Sequence, residues 1–357
     1  MDLVFGTFLN IIVYNILSIF AFRNAGKNIY NKVVINFIWG IILFFCIYPF
    51  FSGDWLHYRE KIIYFYYYRA TDLEPIYTSI MDYVGLNYFA FRFIIWGSAL
   101  IFLKLLFSRL KIFETRTLLI FIIWGLLFYS YPRVSLGLSI LFYGYSLLIR
   151  PINRKFISYV LGILLIILSC SFHKSIISLA VIIPFTLFPI TRKLVCMFIF
   201  GAFLGVYFIN NYLLSLKDIT TIIEGGNYFI KEANAISLGQ QIVNFVLRIP
   251  IIVISVIIAY KVLFRKQLHL NSYIYKFLSY LILILLLSFV FFFSDISNLT
   301  LFYRTLYMAF IPLSIVLAAL YKTRLNHTIL TWTYIAYIGE NMWLFYTLLG
   351  HYNGSIQ

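Results

Sequence analysis

The sequence predicts an all-α polytopic integral membrane protein of about twelve transmembrane helices, and three observations carry that reading. Apolar residues make up 63% of the 357 residues and charged ones only 11%, where a soluble domain carries about a quarter charged residues, and the mean hydropathy is +0.94. Apolar runs of about 15 to 23 residues recur from end to end, each long enough to cross a bilayer. Between them, Lys and Arg collect in every second connection, the alternation expected of topology signals. This leaves one membrane domain over 1–357 and no soluble one.

Taken in order, the first run, 3–22, begins at Leu3 with no basic stretch before it and no small-residue cleavage site ahead of Arg23. It reads as a retained span and not as a removed signal peptide. The second, 33–51, lies between Lys32 and the polar cluster that opens at Ser52, and the third, 86–107, is bounded by Gly85 and Arg109. The fourth and fifth, 117–131 and 134–149, are separated only by Tyr131-Pro132-Arg133, and a re-entrant pair has the same appearance. Runs 156–171 and 174–190 meet at a tight turn around His173. Runs 194–213, 243–264, 273–294, 300–320 and 328–349 complete the series. Only two connections exceed about 20 residues, 52–85 and 214–242, the latter containing Gly225-Gly226-Asn227. Loops of that length are where function concentrates.

Composition also excludes functions. The net charge of +16 is spread in ones to fours between apolar runs, so it marks topology and not a polyanion patch, and no nucleic-acid partner is expected. Cys46, Cys170 and Cys196 lie in or at the end of apolar runs without paired spacing, which supports neither a zinc site nor a disulfide framework. No glycine-rich phosphate loop is present, so work at the outer face must draw on substrate energy or on a gradient.

Orientation follows from the alternating connections. One set carries Arg23, Lys27 and Lys32; Arg109, Lys111 and Arg116; Arg150, Arg154 and Lys155; Arg192 and Lys193; Lys261, Arg265, Lys266 and Lys276; and Lys322 and Arg324, with Glu114 as its single acid. The other set is mixed in charge and includes both long loops. The basic set is expected to be cytoplasmic, which puts both termini and both long loops outside the cell.

Ionisable groups near membrane depth cost about 2.5 kcal/mol or more at a helix centre, so each outer-face example needs a reason. The cluster Ser52-Gly53-Asp54-Trp55-Leu56-His57-Tyr58-Arg59-Glu60 follows the second span. On a helix, Asp54, His57 and Tyr58 share a face with Lys61, and a carboxylate beside an imidazole suits proton transfer. An interfacial helix with Trp55 and Tyr58 at headgroup level is the plainer reading. Arg133 opens a span after Pro132 and precedes Ser135, Gly137 and Ser139, small residues that permit close helix packing. A guanidinium beside the free N–H groups of a helix N-terminus suits a phosphate; snorkelling to the interface is the alternative.

His173 and Lys174 occupy another tight outer turn. A neutral imidazole there suits proton acceptance from a sugar hydroxyl, with Lys174 steering anions, against a plain capping role. Arg304 lies about one turn into its span with Asp295 in the preceding turn, so it pairs either with that acid or with an anionic ligand. Arg248, before Pro250, is a similar case. No metal constellation accompanies these groups, which suits a pyrophosphate held by Arg and not by a divalent cation.

In this order and spacing, the segments G-D-W-L-H-Y, E-P-I-Y-T-S-I, P-R-V-S-L-G-L-S-I, R-P-I-N-R-K-F, S-F-H-K-S and Y-R-T-L-Y make residues 50–320 resemble the EpsG-like branch of the Wzy-type bacterial polysaccharide polymerases. The resemblance implies a metal-independent, cofactor-free glycosyltransferase of C-type architecture in the bacterial cytoplasmic (inner) membrane. It would join oligosaccharide repeat units carried on undecaprenyl pyrophosphate, as in O-antigen or capsule synthesis, alongside a chain-length regulator and a flippase. It implies Arg133 and Arg304 as pyrophosphate ligands, His173 as base or acceptor-orienting group, and Asp54 as a polar partner. Val134 stands where Gln often follows the Arg in that family, and no clear Pro-Tyr occurs near the C-terminus.

The leading rival is a transporter or lipid-linked oligosaccharide flippase, for which this number of spans is ordinary. Against it, no inverted repeat of short, Gly/Pro-broken spans is visible. A membrane O-acyltransferase would want a His deep in an early span, and the first three spans contain none.

Overall fold

A computed structural model describes residues 12, 15–17, 19–21, 23–24, 32–47, 54–69, 74–110, 114–130, 132–152, 155–173, 175–188, 190–208, 238–265, 270–293, 302, 305–320, 331 and 335. For 45, 47, 54–59, 123–130, 132, 208, 238–248 and 250 the description is of the backbone alone. Among the described residues the fold is all-helical. The helices are α1 (Lys32–Ile47), α2 (Asp54–Tyr68), α3 (Pro75–Val84), α4 (Tyr88–Ser108), α5 (Glu114–Ser130), α6 (Pro132–Ile149), α7 (Lys155–Cys170), α8 (Ser175–Leu187), α9 (Arg192–Phe208), α10 (Leu238–Leu263), α11 (Ser272–Phe293) and α12 (Phe310–Leu320).

Among the described residues, helices thus lie within each expected run from the second to the eleventh, and the long connection 52–85 carries α2 and α3. The first and last runs lie mostly outside the described residues. Among the described residues, two helices, Tyr88–Ser108 and Ser272–Phe292, are long and apolar enough to cross a membrane; at 1.5 Å per residue each spans about 31 Å, close to the hydrocarbon thickness of a bilayer. Six shorter apolar helices accompany them.

Contacts divide the chain into two compact units, Met1–Ile183 with Tyr337–Gln357, and Pro184–Ala336. The boundary falls at the proline inside α8.

In the first unit, α1, α4, α5, α6 and α7 alternate in direction. At one end, Lys104 near the close of α4 donates to Asn36 near the start of α1 at 2.9 Å. At the other end, Arg92 in the first turns of α4 donates to the Cys46 carbonyl near the close of α1 at 3.0 Å. Glu114 opens α5 in the electrostatic reach of Lys104 and Lys32, and α5 closes one residue before α6 begins. The start of α6 lies at the opposite end, where Arg133 meets Glu74 ahead of α3 and Tyr77 of α3 meets Phe91 in the first turn of α4. Both helices therefore run from one end to the other. At the close of α6, Arg109 donates to the carbonyls of Ser146, at 3.1 Å, and Arg150, and Arg150 returns a bond to the Arg109 carbonyl at 3.4 Å. Basic side chains on the last carbonyls of a helix satisfy orphan acceptors and oppose the dipole. Arg109 and Arg150, from two connections that are basic in the sequence, thus share one end.

Helices α6 and α7 approach each other closely. A Cβ added to Gly144 would lie 2.9 Å from the Gly162 carbonyl, and one added to Gly162 would lie 2.9 Å from that of Gly144. Only backbone against backbone fits there. The rest of α7 is inverted relative to a helix in water. Its buried residues are Ser158, Gly162 and Ser169, while Phe156, Ile163, Leu164 and Ile167 are 51–79% exposed. Exposed apolar faces of this size on a water-soluble monomer are rare.

In the second unit the same capping recurs. Arg192, opening α9, donates to the carbonyls of Leu263 at 2.8 Å and Phe264 at 2.7 Å, at the close of α10. Lys276 of α11 donates to the Leu187 carbonyl that closes α8. Helix α12 is buried nearly all round, as a fully apolar helix must be in a core, and α9 exposes Met197, Phe200, Phe203 and Tyr207.

Candidate functional site

The site is best built from α3. Glu74 occupies its N-cap position with extended backbone, followed by Pro75 in the first helical position, where the missing N–H costs nothing. An N-cap side chain normally accepts from the helix's own N–H groups, and this one does not. Its Oε2 instead accepts from Arg133 Nη1 at 3.0 Å. Both side chains are mostly out of solvent, Arg133 21% and Glu74 16% exposed. Among the described residues no other hydrogen bond reaches the Glu74 carboxylate.

Arg133 is presented by the first turn of α6, which begins with Pro132. One turn on, Gly137 lets the helix sit against the α7–α8 turn. A Cβ there would lie 3.2 Å from the Ser169 carbonyl and 3.3 Å from Phe172 Cβ and would overlap Ile176 Cδ1. Ser135 and Ser139 are buried alongside, and Ser139 Oγ returns its proton to the Ser135 carbonyl at 2.7 Å. From the other side, Tyr77, one turn into α3, meets Phe172 edge-on at 6.1 Å and Phe91 at 6.4 Å between ring centres. Three segments far apart in sequence therefore close on one another at the same end of the unit: the start of α3, the start of α6 and the turn that carries His173.

His173 is half-buried and locally fixed. Its Nδ1 accepts the Ser175 backbone N–H at 3.2 Å and lies 2.6 Å from Ser175 Oγ, while its carbonyl takes the Ile176 N–H at 3.0 Å. A nitrogen that accepts a backbone N–H carries no proton of its own, so the neutral ring bears its proton on Nε2.

Of the other expected site residues, Asp54, His57 and Arg59 lie on α2, which forms from Asp54 onward, with their backbone alone described. Ahead on that helix, Ile62 and Phe65 are buried while Tyr64, Tyr66, Tyr67 and Tyr68 are exposed. Arg69 ends it with φ of 55° and forms an ion pair with Asp82 of α3. Arg248 lies on α10, again with its backbone alone described. Lys174, Asp295 and Arg304 lie outside the described residues. Among the described residues, no group of three His, Cys, Asp or Glu side chains converges in a way that could hold a metal.

Two residues were missed by sequence reasoning. Glu74 passed as one of several charges in a mixed loop; its signal was its place ahead of a helix-opening proline. Arg92 is 4% exposed, and the rule that singled out Arg304, a cation just inside an apolar run, applies to it equally. Its Nε and Nη2 donate to the Cys46 carbonyl and its Nη1 to Tyr88 Oη at 3.3 Å, with the guanidinium 5.8 Å from the Tyr88 ring centre. That is a structural role at the same end of the unit.

Compared with protein families, curated proteins and solved structures, the chain matches none.

Proposed function

We propose that this chain is a multi-pass glycosyltransferase of the bacterial cytoplasmic membrane, with about twelve spans and both termini outside. In this reading it joins repeat units carried on undecaprenyl pyrophosphate into a surface polysaccharide. The observation that carries the reading is the Arg133–Glu74 pair, because it draws together E-P-I-Y-T-S-I and P-R-V-S-L-G-L-S-I, with S-F-H-K-S beside them. These are three of the six segments on which the polymerase resemblance rests. The lipid-facing character of α7 and α9 supports the membrane setting.

The chemistry fits such a site. No ATP is available outside the cell, so the sugar–pyrophosphate bond supplies the driving force. Charge develops on the departing pyrophosphate, and a pre-placed guanidinium out of bulk water stabilises it more than water would. Arg133 takes that role, and His173 orients the acceptor sugar.

Deletion of the gene in its native host, followed by gel analysis of surface polysaccharide, tests this reading. Glycan limited to a single repeat on an intact carrier is the expected result. Complete loss of surface glycan would point to a flippase, and an unchanged ladder would remove the chain from the pathway.

A further inference from the structure

Resting on the polymerase reading, the geometry points to Glu74 as the general base that deprotonates the acceptor hydroxyl. One observation sets His173 aside as the base, and a second concerns Glu74 itself.

The first concerns His173. To take a proton through Nε2, a neutral imidazole must carry its own proton on Nδ1. Here Nδ1 is an acceptor of the Ser175 backbone N–H at 3.2 Å, and that N–H has only one direction in which to donate. Nε2 therefore holds the ring proton and acts as a hydrogen-bond donor. It can hold an acceptor oxygen in place; it does not remove that oxygen's proton.

The second concerns Glu74. Among the described residues it is the carboxylate paired with Arg133, the proposed pyrophosphate ligand, at 3.0 Å. A carboxylate beside a phosphate-binding arginine offsets part of the charge on which binding depends, so purely as a structural partner it works against the site. The cost is understandable if the carboxylate is used. Its N-cap position would serve α3 better if filled by Ser, Thr, Asp or Asn, and its side chain leaves that duty undone. Arg133 fixes Oε2, which sets the orientation of Oε1.

The step balances. The acceptor hydroxyl oxygen forms a bond to the anomeric carbon of the lipid-linked glycan. The bond from that carbon to the phosphate oxygen breaks, and its electron pair leaves with undecaprenyl pyrophosphate. The hydroxyl proton passes to the Glu74 carboxylate and from there to water.

The test uses purified full-length protein and undecaprenyl-pyrophosphate-linked repeat units extracted from the deletion strain. Glu74→Gln keeps a hydrogen-bond acceptor for Arg133 and loses basicity. It is expected to lower kcat by about 10²- to 10⁴-fold, with KM changed by no more than a few-fold, when assayed well below its melting temperature, which falls with the loss of the ion pair. Glu74→Ala is expected to regain part of its turnover with added formate, a response that a merely structural role would not give. His173→Gln, which retains a donor near the Nε2 position, is expected to lose less than Glu74→Gln. Wild-type kcat in Glu74→Gln, or a greater loss in His173→Gln than in Glu74→Gln, would overturn the assignment while leaving the polymerase reading intact. Wild-type protein that forms no linkage from these units would overturn both.

Discussion

Arg133 and Glu74 stand 59 positions apart in the chain and 3.0 Å apart in space, and their pairing joins the opening turns of α3 and α6. Removing either partner leaves the other charge mostly out of solvent. Arg133→Gln and Glu74→Ala should each lower unfolding stability in detergent by about 1–3 kcal/mol. The exchange Arg133→Glu with Glu74→Arg should recover most of that stability and none of the polymerisation, because it moves the cation away from the α6 N-terminus. A thermal melt beside a polysaccharide gel checks both halves.

Gly144 and Gly162 allow no side chain between α6 and α7. Gly144→Ala and Gly162→Ala should each destabilise by about 1–3 kcal/mol, the usual cost of overpacking. Around Gly97 and Gly201 an added Cβ meets nothing within 4 Å, so alanine there should stabilise by up to about 1 kcal/mol through helix propensity. Melting temperatures of the four variants should split into these two pairs.

Arg92 holds the close of α1 through the Cys46 carbonyl. Arg92→Ala should cost about 1–3 kcal/mol, read as a lower melting temperature, and Arg92→Lys should recover little of it, since an ammonium lacks the planar fork that meets one carbonyl twice.

Glu114, ahead of the 117–131 run, supplies the pH dependence. Burial raises its carboxyl above the usual value, with Lys104 and Lys32 pulling the other way. The folded chain therefore holds this proton more tightly than the unfolded one. Its contribution favours folding at low pH and is lost as pH rises through the carboxyl range, starting near the unfolded value of about 4.3. Glu114→Gln should melt at a higher temperature than wild type at about pH 8, with the gap closing toward about pH 4.

Much of this fold could be read from the chain because apolar helices are written in length and hydropathy. Run 86–107 is the helix Tyr88–Ser108 and run 273–294 the helix Ser272–Phe293, and Pro75 and Pro132 each open a helix, where a missing N–H is harmless. The small residues after Arg133 also pack as expected against a neighbouring turn. What could not be read was partnership. Nothing local to Glu74 says that an arginine 59 positions on will take its carboxylate. Nothing in S-F-H-K-S says which ring nitrogen of His173 faces a backbone N–H. Gly162 looked like one more residue of an apolar run, and only the crossing of α7 with α6 gives it a purpose.

The central claim is glycan transfer with release of lipid pyrophosphate, and reconstitution tests it most directly. Purified protein in vesicles, supplied with undecaprenyl-pyrophosphate-linked repeat units, should produce a ladder of lengthened glycan and one released undecaprenyl pyrophosphate for each linkage formed. Movement of intact lipid-linked units across the vesicle bilayer, with no linkage and no release, would contradict the account.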